Sequence, residues 1–149
     1  MRTRGFEIVN GYENESITIP MRQTLYSAGY DIEACETVEI APNEVKLVKT
    51  GLKAYMLEDE LLKLYIRSSM AINKGVMLAN NVGIIDSDYY NNEKNNGHII
   101  IPLYNFSNQL LIIYKGEKIA QGIFEKYLVV DKDTPNHQIR KGGFGSSNH

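Results

Sequence analysis

The chain of 149 residues has a single cysteine, Cys35, almost no imbalance of charge, and no apolar run approaching transmembrane length. One cysteine excludes an internal disulfide and a cysteine-built zinc or iron–sulfur centre. His98, His137 and His149 are scattered without metal-ligand spacing. Sixteen basic against eighteen acidic side chains leave a formal charge of -2, so no stable partnership with nucleic acid is expected, and a phosphate-bearing ligand needs a local site. Residues Met1 to Glu15 alternate charge and polarity without the apolar core of a signal peptide. A cytoplasmic protein without membrane association is the expectation. Helical signals are scarce: only Leu57–Leu62 and Ala71–Met77 could be helical, and Gly75 limits the second.

What is present reads as strand. Charged residues make up 23% and hydrophobic ones 43%, a soluble globular composition, and a chain of this length buries roughly 70% of its unfolded surface in one core. A single domain, 1–149, is expected, with 136–149 as a flexible C-terminal lid. Glu44–Leu52 and Leu61–Ile66 carry the apolar recurrence of half-buried strands, and Ile99–Tyr104, Leu110–Tyr114 and Tyr127–Val130 are shorter β-rich runs. Turn signals separate them at Ser27-Ala28-Gly29, Ala41-Pro42-Asn43, Ser107-Asn108-Gln109 and Lys115-Gly116-Glu117. Short strands with tight connections favour an all-β barrel or jelly roll over βαβ units. The Asn-rich segment from Tyr90 to Gly97 reads as polar and flexible, too short to divide the chain.

Four segments between the strands carry potential chemistry: Ala28–Ile32, Arg67–Ser69, Asn80–Tyr89 and Arg140–Ser147. Arg67 offers a planar fork of donors to phosphate oxygens, with the Ser68 and Ser69 hydroxyls beside it; the same tripeptide could be a strand end with two capping serines. Asp86 and Asp88 bracket Ser87. They share a face if the strand continues, and separate if the chain bends; either could orient water or meet the hydration shell of a metal, or close an Asx turn. Tyr89 could stack on a sugar or base, or simply fill a β core. The tail Gly142-Gly143-Phe144-Gly145-Ser146-Ser147 is too glycine-rich for a strand. It could fold over a ligand, bringing backbone N–H groups close and Phe144 over a flat ring, with Arg140 and Lys141 near distal phosphates; a disordered tail is the alternative. P-loop and Rossmann spacings are missing.

Taken in order, these segments resemble the five motifs of the trimeric dUTPase family: A-G-Y-D-I-E-A from Ala28, Arg67-Ser68-Ser69, N-N-V-G-I-I-D-S-D-Y from Asn80, G-E-K-I-A-Q-G-I from Gly116, and R-K-G-G-F-G-S-S from Arg140. The resemblance covers residues from about 28 to 147. It implies a distorted jelly-roll β-barrel, a threefold trimer with sites built from more than one subunit, and a last motif that closes over nucleotide. It implies hydrolysis of dUTP to dUMP and pyrophosphate. By the same resemblance Asp86 is the general base for water attacking the α-phosphorus, with Gln121 and Arg67 at the phosphates. Ser68 and Ser69 donate to phosphate oxygens, Asn80 and Gly83 belong to the uracil-reading hairpin, and Tyr89 lies under the deoxyribose. Arg140 or Lys141 clamps the distal phosphate, and Phe144, Gly145 and Ser146 cover the base. Magnesium is the implied cofactor, held by phosphates and water with no direct protein ligand and with Asp31 in outer-shell support.

The chain departs from the family pattern at several points. Ile66 stands where a proline is common, Met70 where a glycine often follows, and Tyr90-Asn91-Asn92 where an arginine–glycine pair is usual. Arg140 and Gly143 are closely spaced, and the usual last glycine is missing. The related dCTP deaminases share the barrel and an R-S-S segment but need a catalytic glutamate where Ile99–Tyr104 has no carboxylate. A nucleotide-switched regulatory trimer on the same scaffold is the other reading, with the 90–97 loop as the place for a protein partner.

Overall fold

The structure is a computed structural model that describes residues 1–136. Its strands are β1 (Gly5–Ile8), β2 (Tyr30–Glu33), β3 (Val38–Ile40), β4 (Val45–Lys49), β5 (Leu52–Tyr55), β6 (Glu60–Ile66), β7 (Val76–Leu78), β8 (Gly83–Asp86), β9 (Ile100–Asn105), β10 (Leu111–Ile113) and β11 (Lys118–Lys126). They pair in antiparallel ladders as four sheets, ordered β1-β5, β10-β3, β2-β11-β6-β8 and β4-β9-β7. Among the described residues these ladders do not close into a barrel. Also among the described residues, no helix is long and apolar enough to cross a membrane.

Alternation explains the layering. In β6 the side chains of Leu62 and Leu64 are buried while Leu61, Lys63 and Tyr65 face outward, the period of two that a pleated strand imposes. The inward rows of the sheets meet in one cluster that includes Ile32, Ile40, Val48, Leu62, Ile101 and Ile119. Phe6, Tyr30 and Phe124 close one end of it, with ring centroids 5.5 to 6.3 Å apart in tilted and edge-on contacts.

Several expectations change on meeting the structure. Glu44–Leu52 is two strands, because the Thr50 hydroxyl bonds the Ile99 carbonyl at 2.6 Å and the Gly51 N–H donates to His98 Nε2 at 2.8 Å, taking the backbone out of the ladder. Leu57–Leu62 is a turn leading into β6: the buried Glu60 carboxylate accepts from the Leu57 N–H at 3.0 Å and from Arg4 Nη2 at 2.6 Å. The second helical candidate is a single π-type turn, Met70–Lys74, ended by Gly75. Tyr127–Val130 is not a strand. The chain leaves the sheet at Lys126, and Leu128 is 97% exposed, with no strand among the described residues to receive it. Among the strands the sequence did not mark are β1, β3 and β11; in β11, Ala120 and Gly122 have low β-propensity yet lie between two partner strands. Residues 90–97, read as flexible, are densely hydrogen-bonded: Lys53 Nζ, itself buried, donates to the side-chain oxygens of Asn91 and Asn96 at 2.6 and 3.0 Å.

Candidate active site

The four-stranded sheet carries two groups of polar residues at opposite ends. At one end, Asp31 of β2 lies directly across from Gln121 of β11, which in turn faces Tyr65 of β6. Arg67 follows two residues later, so three of the sequence candidates converge. Asp31 Oδ1 lies 3.3 Å from Arg67 Nε, and its Oδ2 lies 3.8 Å from Lys118 Nζ and accepts from Gln23 Nε2 at 2.5 Å. Two cations share the Asp31 carboxylate here, with Glu33 across from Lys118 in the register, and the guanidinium and ammonium donors are of the kind that suits phosphate oxygens.

Gln121 is held in place by what Gly29 lacks. A β-carbon at Gly29 would stand 2.3 Å from Gln121 Oε1 and 3.1 Å from Gln121 Cβ, so the small residue makes room for the amide. Gly29 and Lys118 lay inside segments already singled out, but their roles depend on pairing between strands remote in sequence. Gln23 had no local signal.

Ser68 and Ser69 are exposed beside Arg67. The capping role open to them is not used by Ser69, which makes no side-chain cap bond to the following turn. That turn is fixed from inside, by the buried Met70 and by the N–H groups of Met70 and Ala71 donating to the Arg67 carbonyl at 3.0 and 3.3 Å.

The second group follows β7. A tight turn between strands of two different sheets, with the Asn81 N–H bonded to the Leu78 carbonyl at 3.0 Å and the Val82 N–H to the Asn80 carbonyl at 2.7 Å, exposes Asn80 and leads into β8. Gly83 is buried against Leu64, to which a β-carbon would approach within 3.1 Å. Asp86 ends β8 opposite Leu61, and the chain then bends into a 3-10 turn, Ser87–Tyr89. The bend separates Asp86 from Asp88 and turns Tyr89 inward, where it is 5% exposed. Arg140, Lys141, Phe144, Gly145 and Ser146, with the expected lid, lie outside the described residues.

Within one chain the two groups are far apart. Asp86 is level with Leu61, whereas Arg67 lies six residues further along the β6 direction, about 20 Å at the usual rise of a strand. Among the described residues no group of three or more His, Cys, Asp or Glu is placed to hold a metal ion.

An antiparallel β fold with a cationic group at one end of a sheet, and a carboxylate and tyrosine at the other, defines the class: a β protein equipped to bind a phosphorylated ligand. Residues 15–148 match the family model described as dUTPase. The chain is 52% identical over 148 residues, 99% of each chain, to the deoxyuridine 5'-triphosphate nucleotidohydrolase of Lactococcus lactis subsp. lactis (strain IL1403). It is 34% identical over 156 residues to that of Escherichia coli O9:H4 (strain HS), covering 99% of this chain and 98% of the relative. The crystal structure of dUTPase from Streptococcus mutans superposes with a TM-score of 0.81 at 43% identity, over 85% of this chain and 98% of that one. This chain therefore belongs to the dUTPase family.

Proposed function

We infer that the protein hydrolyses dUTP to dUMP and pyrophosphate, and that it does so in sites assembled between subunits of a homotrimer. Family membership supports the reaction. The observation that carries the shared site is the separation of about 20 Å, by strand rise, between Asp86 and Arg67 in one chain: a base and an arginine acting on the same triphosphate have to come from different copies. The outward face of the four-stranded sheet is suited to such packing, since Leu61, Tyr65, Ile84 and Ile123 interrupt its charged residues. The exposed Tyr127–Val130 segment is a second apolar surface for a neighbouring copy. In the trimer the four sheets are the walls of a distorted jelly-roll barrel, formed by one domain whose last residues, from 136, close over the nucleotide.

The assignments follow the residues. The turn carrying Asn80 and Gly83 reads uracil; a donor and acceptor matched to uracil are left unsatisfied by cytosine. From Gly83 to Asp86 is three residues, about 10 Å, comparable to the length of a nucleoside. Tyr89 forms the wall beneath the deoxyribose. Asp86 takes a proton from a water whose oxygen bonds to the α-phosphorus, while the bond from that phosphorus to the bridging oxygen breaks and pyrophosphate leaves. Gln121 orients the water and α-phosphate, and Arg67, Ser68 and Ser69 hold the phosphates. Arg140 or Lys141 meets the distal phosphate, and Phe144, Gly145 and Ser146 cover the base.

Magnesium fits this donor set through water. Asp31 presents a carboxylate already engaged by Arg67, Lys118 and Gln23, which suits an outer-shell contact to an ion that keeps its waters and takes phosphate oxygens. When bound it would neutralise triphosphate charge.

Phosphorus NMR of the protein with dUTP and magnesium, beside matched dCTP, dTTP and UTP reactions, tests the reading. Selective conversion of dUTP to dUMP and pyrophosphate is expected. Binding of dUTP without turnover would sink it in favour of a nucleotide-switched regulatory trimer.

A further inference from the structure

Tyr89 is held at both ends by the loop that follows it. Its hydroxyl donates to the His98 carbonyl at 2.6 Å and accepts from Asn95 Nδ2 at 2.9 Å, so the phenol both donates and accepts. Its own carbonyl accepts from Asn92 Nδ2 at 2.8 Å. The two asparagines are fixed in turn. Asn95 Oδ1 accepts from Asn92 Nδ2 at 2.7 Å and from the Gly97 N–H at 3.1 Å, and Asn92 Oδ1 accepts from the N–H groups of Lys94 and Asn95, both at 3.1 Å.

The far side of the loop is anchored as well. Gly97 has φ +86° and packs so closely that a β-carbon would stand 2.9 Å from the Asn91 nitrogen and 3.0 Å from the Tyr89 carbonyl. His98 is buried, its Nε2 accepts from the Gly51 N–H at 2.8 Å, and Tyr12 meets its ring edge-on at 4.9 Å. The carbonyl that receives the Tyr89 hydroxyl therefore belongs to a residue locked into the fold.

We propose that Asn92, Asn95 and the His98 carbonyl form a clamp that positions the Tyr89 ring, and that this clamp sets how strongly the site rejects a ribonucleotide. The proposal rests on the reading of Tyr89 as the wall beneath the deoxyribose. Excluding one hydroxyl group is a matter of clash, and a clash discriminates only if the wall does not recoil. Hydrogen bonds at the hydroxyl pin the far end of the ring and the bond to its backbone carbonyl fixes the root, so the ring cannot swing away as a whole. The loop occupying 90–97 thereby acts on specificity without touching the nucleotide, and Asn92 and Asn95 are positioning residues.

The experiment is steady-state kinetics with dUTP and UTP, together with thermal unfolding, on Asn95→Ala, Tyr89→Phe, Asn95→Ser and Tyr89→Ala. Asn95→Ala and Tyr89→Phe are expected to raise UTP kcat/KM relative to dUTP by about tenfold, the scale of one pocket contact, while in Asn95→Ala, whose side chain does not touch the nucleotide, dUTP kcat changes by less than about threefold. Asn95→Ser, which keeps a donor, should retain most of the native ratio. Tyr89→Phe preserves ring volume and carries the test should Asn95→Ala fail to fold. If Tyr89→Ala relaxes the ratio while Asn95→Ala and Tyr89→Phe do not, the clamp is overturned and the sugar wall stands. If Tyr89→Ala also leaves the ratio native, the sugar-wall reading itself falls, and the clamp with it.

Discussion

The two ends of the four-stranded sheet are built on different principles. Around Asp31 the contacts to Arg67 and Lys118 are ionic, partly exposed on the cation side and long, 3.3 and 3.8 Å, beside a short bond of 2.5 Å from Gln23. Around Tyr89 they are neutral, largely buried and short, 2.6 to 2.9 Å. Charge-assisted hydrogen bonds of full strength run nearer 2.7–2.9 Å, so the Asp31 carboxylate keeps two cations in place without committing their donors. On the proposed reading a triphosphate takes them over. On the same reading the tyrosine end has no such exchange to make, because a sugar wall has to stay still. Phosphate recognition tolerates loose, screened contacts, whereas rejecting an extra hydroxyl requires a fixed surface.

The sharpest way to break this comparison is to ask whether the two ends act on one substrate. Asp86→Asn should lower turnover by about a thousandfold or more, within the range for loss of a general base, with dUTP binding and melting temperature nearly unchanged. Arg67→Ala should also be largely inactive. Co-expressing the two variants with different tags tests their cooperation across subunits. If each site takes Asp86 from one copy and Arg67 from the next, random mixing leaves about a quarter of the sites with both native residues, as the heterologous symmetry of a ring requires. Recovery of activity on that scale is expected. Mixed trimers as inactive as their parents would place both residues in a site within one chain.

A smaller effect is expected from crowding the phosphate end without touching a charge. Gly29→Ala puts a methyl group 2.3 Å from Gln121 Oε1 and 3.1 Å from its Cβ. The amide can swing away, so folding should survive with a melting temperature shift of a few degrees. Its displacement by about 1 Å should lower dUTP kcat/KM by roughly ten- to a hundredfold. Native kinetics in this variant would mean that the Gln121 amide need not sit where β2 and β11 place it.

How much of this was legible in the sequence depended on whether the signal was local. Arg67 and Asp86 stood out because polar residues interrupt apolar strands at turn-flanked positions, and Asp31 lay in a segment marked by Gly29, whereas Gln121 came only through the resemblance to the family motifs. Their division between two ends of a sheet was not legible, since it follows from the pairings Asp31↔Gln121 and Asp86↔Leu61, which join segments remote in sequence. Propensity misled in both directions: β11 was hidden by Ala120 and Gly122, while Tyr127–Val130 reads as strand but has no partner strand among the described residues. The asparagines of 90–97 read as a polar, flexible loop because composition does not show that asparagine side chains can replace water for buried backbone groups. Arg140, Lys141, Phe144, Gly145 and Ser146 fall outside the described residues and stay where the motif put them.

The subtlest consequence of the rigid end concerns pH. Burial, followed by the nearby Lys49 charge, holds the His98 pKa below its ordinary value, with Glu36 opposing, and its Nε2 must remain unprotonated to accept from the Gly51 N–H. The folded state therefore resists a proton that the unfolded chain accepts near pH 6.5. Above that pH both states leave His98 neutral, and its contribution to stability is fully present. As pH falls below it, the unfolded state binds more protons and the contribution is lost progressively until the depressed folded pKa is reached. One such group can change stability by at most about 1.4 kcal/mol per pH unit. Urea unfolding of the native protein and of His98→Asn between pH 7.5 and pH 5, values chosen to span roughly a unit either side of the free histidine pKa, isolates this term. The native protein should lose stability on acidification faster than the variant. Parallel curves would show that His98 titrates alike in both states, and that the bond to Gly51 does not hold the loop.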